Sequence, residues 1–182
     1  MKRTEVVSTI TAKDRIPKGR YILRVCGTKF GPSGSSGNPM ITVEYEILCT
    51  GDGKDVVEVG DRKISIAGYR FRKYYITMIA GDPASISEKM GPVFDLFAAC
   101  GIPKEEIDEN NPPHGELLNA TLDAILYSKK DPKFSDPTPE DLAAGRKNGG
   151  PIKDSSGNVL EFFQVEIDKL LGPCHYEGSR AF

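Results

Sequence analysis

Met40-Ile-Thr-Val-Glu-Tyr-Glu-Ile47 decides the fold class. Ile41, Val43, Tyr45 and Ile47 alternate with Met40, Thr42, Glu44 and Glu46. Strict alternation of apolar and polar residues is the signature of a β-strand with one face in a core and one in water. Gly51-Asp52-Gly53 then supplies a turn. Upstream, Gly19 to Phe30 reads as a strand of the same kind. Tyr21, Leu23 and Val25 form its apolar face, and Arg20, Ile22 and Arg24 the mixed one. Between the two strands, residues 31–39 are small and flexible and predict a mobile connector.

Further along, residues 62–78 predict a third strand. Ile64 and Ile66 set its inward face, and the parity then shifts to Tyr69 and Phe71, so a bulge is expected at Gly68. Residues 84–100 predict a helix capped by Ser85 or Ser87, with Val93, Phe94, Leu96 and Phe97 as its apolar stripe. Gly91-Pro92 is awkward inside a helix, which suggests a start at Pro92; Gly101 and Pro103 end it. Residues 117–128 and 159–170 predict the last two strands, with Phe163, Val165 and Ile167 turned one way in the second. Residues 129–158 form a long insert between them.

Three strands, a helix and two strands is the order of an OB-type barrel. The fold class expected is therefore mainly β: one five-stranded OB-type domain over residues 1–182, with its core at about 18–172. The segments 1–14, 129–158 and 173–182 are expected to be flexible. At 182 residues the chain is long enough to bury a core without disulfide or metal staples.

Charge restricts the function classes. The net charge is −2, so a uniformly basic nucleic-acid coat is excluded and any electrostatic site must be local. No apolar run approaches a membrane span, and residues 1–14 contain no apolar signal core; a soluble, cytoplasmic protein without membrane contact is expected. Cys26, Cys49, Cys100 and Cys174 contain no closely spaced pair, so free thiols are expected and no metal. His114 and His175 are too isolated for a triad, and no phosphate-cradling or dinucleotide loop occurs. Neither a catalytic residue nor a cofactor is expected.

The chemistry that stands out is cationic and aromatic. Tyr69-Arg-Phe-Arg-Lys-Tyr-Tyr75 contains no acid. Single strands need cations for phosphates and flat rings for unstacked bases. Arg70, Arg72 and Lys73 are candidate phosphate contacts, Tyr74 and Tyr75 candidate stacking platforms, and Tyr69 and Phe71 core. Lys29 and Phe30, at the base of the first connector, could close over a strand. The insert opens with Tyr127-Ser-Lys-Lys-Asp-Pro-Lys-Phe134 and predicts a basic hairpin arm. Lys129, Lys130 and Lys133 are its cations and Phe134 its ring; Arg146, Lys147 and Lys153 follow. Phe162 is a further candidate platform.

Gly19-Arg-Tyr-Ile-Leu-Arg-Val25, then Ser36-Gly-Asn-Pro-Met40 leading into the alternating strand, resembles the opening of phage-encoded single-stranded DNA-binding proteins of the OB type. The Leu-Phe-x-Ala-x-Gly end of the helix at 96–101 and Gly115-Glu-Leu-Leu-Asn-Ala-Thr-Leu122 extend the resemblance, which covers most of 18–170. It implies sequence-tolerant binding of single-stranded DNA in phage replication, recombination or repair. The partners to expect are single-stranded DNA, replication or recombination proteins, and a second copy of the chain. One departure stands out. Such proteins often end in an acidic tail tipped by Phe, and Glu177-Gly-Ser-Arg-Ala-Phe182 keeps the Phe without the acidic run. Mild acidity leaves open a second class, a protein–protein interaction module of a phage accessory or inhibitor type.

Overall fold

The computed structural model describes residues 6–34, 36–77, 82–108, 110–131, 134, 139–143 and 150–174. Its centre is the strand that decides the fold class. β3 (Pro39–Thr50) alternates buried and part-buried residues along its length, and Ile41, Val43, Tyr45 and Ile47 are fully buried. β2 (Gly19–Pro32) pairs with it from Tyr21↔Thr50 to Pro32↔Pro39. The expected connector at 31–39 is thus shortened at both ends, with Gly31, Pro32 and Pro39 taken into the strands. Only a tight tip at 33–38 remains, closed by Ser33 N–H donating to the Asn38 carbonyl (2.8 Å) and by Gly37 at φ 71°.

The main sheet is antiparallel in the order β10-β7-β2-β3-β6, where β6 is Arg70–Ile76, β7 is Thr121–Lys130 and β10 is Phe163–Pro173. Its inner face carries Leu23 and Val25, the four β3 residues, and Leu122, Ala124 and Leu126. Burying each large aliphatic side chain contributes about 1.5–3 kcal/mol, so this face supplies a large part of the drive to fold. The ladder does not close, because β10 and β6 end the sheet. β10 is irregular between Ile167 and Lys169 and again between Leu170 and Gly172, which bends its outer edge. A side-chain ion pair, Lys73 to Glu166 at 3.2 Å, spans the two edges instead.

The predicted third strand is two strands. β5 (Arg62–Ser65) pairs with β4 (Val56–Val59), which the sequence reading missed, and in parallel with β1 (Val7–Thr9). The break is a turn rather than a bulge. Tyr69 N–H donates to the Ile66 carbonyl (3.1 Å), and Gly68 takes φ 84°, which glycine adopts without strain. Described residues of the N-terminal segment pack against this part of the fold. Ile10 and Ile16 enter the core, and Asp14 accepts from Thr11 N–H (2.8 Å) and Arg62 (2.9 Å).

The predicted helix is also two: α1 (Pro83–Lys89) and α2 (Gly91–Ala99), divided at Met90. Asp82 caps the first by accepting from Ser85 N–H (3.1 Å), so Ser85 receives the cap and does not form it. α2 buries Val93, Leu96, Phe97 and Ala99 and packs against β10 and β6, beneath the open seam. Gly101 ends it at φ 81°, with Ile102 N–H donating back to the Phe97 carbonyl (2.8 Å). Residues His114–Leu117 form a 3-10 turn, which delays the predicted fourth strand to Thr121. At the end of the insert, β8 (Ile152–Lys153) makes a small hairpin with β9 (Val159–Leu160), so strand five begins at Phe163 and not at 159.

Candidate nucleic-acid interface

The outward residues of β2, β3 and β6 stand in register. Glu46 of β3 lies between Arg24 and Arg70, Glu44 between Gly27 and Arg72, and Thr42 between Lys29 and Tyr74. Two local irregularities produce this alignment. The register shift between Val25 and Gly27 inverts the parity of β2, so Lys29 faces outward with Thr42 while Phe30 aligns with inward Ile41. The turn at Gly68 does the same for β6, sending Arg70, Arg72 and Tyr74 outward. Gly27, Thr28, Lys29, Thr42, Glu44, Arg72 and Tyr74 line an open groove of about 450 Å³. Tyr74 is 59% exposed, a large ring left uncovered. Four cations, Arg24, Lys29, Arg70 and Arg72, face two carboxylates, Glu44 and Glu46.

Those carboxylates are engaged. Glu44 Oε2 accepts from Arg72 Nε at 3.0 Å, and Oε1 accepts from Arg70 Nη1 at 3.4 Å. The Arg72 hydrogen bond holds the Glu44 carboxyl below its ordinary range, against the opposing effect of burial. Glu46 pairs with Arg24 at 2.5 Å. Among the described residues Lys29 has no carboxylate partner.

Several expected contacts lie elsewhere. Tyr75 is a correction: it is 4% exposed, and its hydroxyl shares a 2.7 Å hydrogen bond with that of fully buried Tyr45. Burial pushes both phenols above their ordinary range. Parity explains this, because inward Phe71, stacked on Tyr45 at 5.4 Å, carries Lys73 and Tyr75 inward with it. Phe30 is a second correction. It packs against the core and beside His114 (6.1 Å), whose Nδ1 is 3.1 Å from Thr28 Oγ1. The sequence reading assigned His114 no such role, and nothing in its Pro-Pro-His-Gly setting signals the contact.

Lys73 and Lys129 meet at the seam, where both pair with Glu166, at 3.2 and 3.1 Å. Lys130 pairs with Glu161 at 3.0 Å. Phe134 and Phe162 pack on each other, with centroids 4.6 Å apart, and both are half-buried. Lys153 is exposed on β8. Lys133, Arg146, Lys147, His175 and the tail beyond Cys174 lie outside the described residues.

Compared with known proteins, the chain matches no family model, no curated protein and no solved structure. The site must therefore be judged on its own chemistry. A larger cavity of about 650 Å³ lies under the seam between β6, α2 and β10, lined by Tyr75, Pro92, Ala98 and residues 167–173. Lys73 and Lys169 reach it as well, but Asp95 and Asp168 line it with them, and its one aromatic ring is that of buried Tyr75. Among the described residues no three His, Cys, Asp or Glu side chains cluster as metal ligands. Cys26, Cys100 and Cys174 form no disulfide, and burial pushes the Cys100 thiol up to about 12. No described helix is long and apolar enough to cross a membrane.

Proposed function

We propose that this protein binds single-stranded DNA without strong sequence preference, on an OB-type barrel whose last seam is bridged by side chains. The reading rests above all on Tyr74. Its ring is 59% exposed and lines one groove with Arg72 and Lys29, so a base stacked on it would have two phosphate partners nearby. The strand order supports the OB reading, because an OB barrel results if β6 and β10 are taken as neighbours. The face of β2, β3 and β6 is then the one on which such barrels bind ligands. From the resemblance to phage single-strand binding proteins we infer a role in phage DNA replication, recombination or repair, in the host cytoplasm.

Phosphates are held by Lys29, Arg70 and Arg72, with Lys73 and Lys129 at the far edge of the path. Titration of labelled oligo-dT by fluorescence anisotropy at two salt concentrations tests this, with duplex DNA as competitor. Binding is expected to weaken as salt rises, with a logarithmic slope of about −0.7 per phosphate contacted, and duplex is expected to compete poorly. Arg72→Ala should flatten that slope. A second reading, a protein-binding module, draws on the pairing of Arg70 and Arg72 with Glu44, which lowers the attraction of the face for anions. Absence of oligonucleotide binding at low salt, together with capture of a protein partner, would favour it.

A further inference from the structure

A surface meant for phosphates should keep carboxylates away from its centre, yet Glu44 sits in the middle of this one. It is on the central strand of the face, in register with Arg72 on one side and Gly27 on the other. It makes two ion pairs at once, with Arg72 at 3.0 Å and Arg70 at 3.4 Å. The Cys26 thiol also lies against it, 3.3 Å from its carbonyl oxygen and 3.8 Å from Oε1. Its side chain is 25% exposed, whereas those of Arg70 and Arg72 are 59% and 64% exposed. The guanidinium groups are thus open to an incoming anion from the solvent side while the carboxylate holds them from the sheet side.

We propose that Glu44 is a built-in counterion that competes with the phosphates of a bound strand for Arg70 and Arg72, and so keeps binding weak and readily reversible. This rests on the single-strand reading above. The physical basis is exchange. A phosphate arriving at Arg72 replaces a carboxylate contact already made, so it gains only the difference between two similar charge-assisted hydrogen bonds. Each arginine therefore contributes less than a free cation would, both to affinity and to the release of counterions from DNA.

The test compares wild type with Glu44→Gln, binding labelled oligo-dT across a salt series. Glutamine keeps the size and an acceptor oxygen while removing the charge. Glu44→Gln is expected to bind about tenfold tighter near 0.1 M salt. Its logarithmic salt slope should steepen by up to about 1.4, at roughly 0.7 for each arginine freed. Adding Arg70→Ala and Arg72→Ala to Glu44→Gln should abolish the gain. Glu44→Thr, uncharged and suited to a strand, gives the same comparison if Gln lowers the urea midpoint. Salt-sensitive binding by wild type with the same affinity and slope in both uncharged variants overturns the counterion role and leaves the single-strand reading standing. A gain that survives loss of both arginines also overturns it. No binding by any of the proteins at low salt overturns both, and binding by Glu44→Gln alone supports both.

Discussion

Tyr74 and Tyr75 are adjacent in sequence, and their substitutions are expected to have opposite effects. Tyr74 is 59% exposed and lies on the outer face beside Lys29, Thr42 and Arg72. Tyr74→Ala removes almost no packing, so its unfolding free energy should stay within about 0.5 kcal/mol of wild type. If a base stacks on this ring, the same change removes about 1–3 kcal/mol of binding, roughly a 5- to 150-fold rise in Kd. Tyr75 is 4% exposed, and among the described residues its hydroxyl is the partner of that of Tyr45. Tyr75→Phe keeps the ring but leaves a buried hydroxyl unpaired, a loss of about 1–3 kcal/mol. Its affinity for oligo-dT should be unchanged at temperatures where it is folded. Urea unfolding followed by circular dichroism and oligo-dT anisotropy, run on both variants in one buffer, separate the two. Tyr74→Ala with unchanged stability and unchanged Kd would refute stacking on Tyr74. Weaker binding by stable Tyr75→Phe would refute the strand parity itself.

Three further outcomes follow from the geometry. In the double variant Tyr45→Phe/Tyr75→Phe neither hydroxyl is stranded, so the loss should fall short of the sum of the single losses by about 1 kcal/mol or more, and additive urea results would count against the pair. Gly68→Ala meets no crowding, the nearest side-chain atom being 4.0 Å away, but forces a side chain onto φ 84°; about 1 kcal/mol should be lost, and a neutral thermal melt would contradict that backbone conformation. Glu44 carries a pH dependence. Its folded pKa lies below the ordinary 4.5, so the stability it adds is present above that value and lost as pH falls through the folded pKa. Wild type should therefore lose more stability on acidification than Glu44→Gln, and superimposable acid limbs would show that the Arg72 pairing adds nothing to stability.

Alternation alone was enough to read β3 and to place Val165 inward on β10, because burial on one face imposes a period of two on any strand whatever its partners. Composition was enough to place Gly68 and Gly101 at breaks, since those backbone angles favour glycine. The stripe at Val93, Leu96 and Phe97 was likewise local information. The parity of β6 was also within reach, since setting Phe71 inward already sets Tyr75 inward.

Tertiary structure decided the rest. No local signal marks the irregularity at Cys26 that exchanges Lys29 for Phe30 on the outer face. The pairing of Arg70 and Arg72 with Glu44, and of Lys73 and Lys129 with Glu166, depends on which strands become neighbours and in what register. A sequence lists charges along one chain, whereas a site is made of charges brought together across several strands. The seven-residue stretch without an acid from Tyr69 to Tyr75 looked purely cationic only because its carboxylates came from β3 and β10.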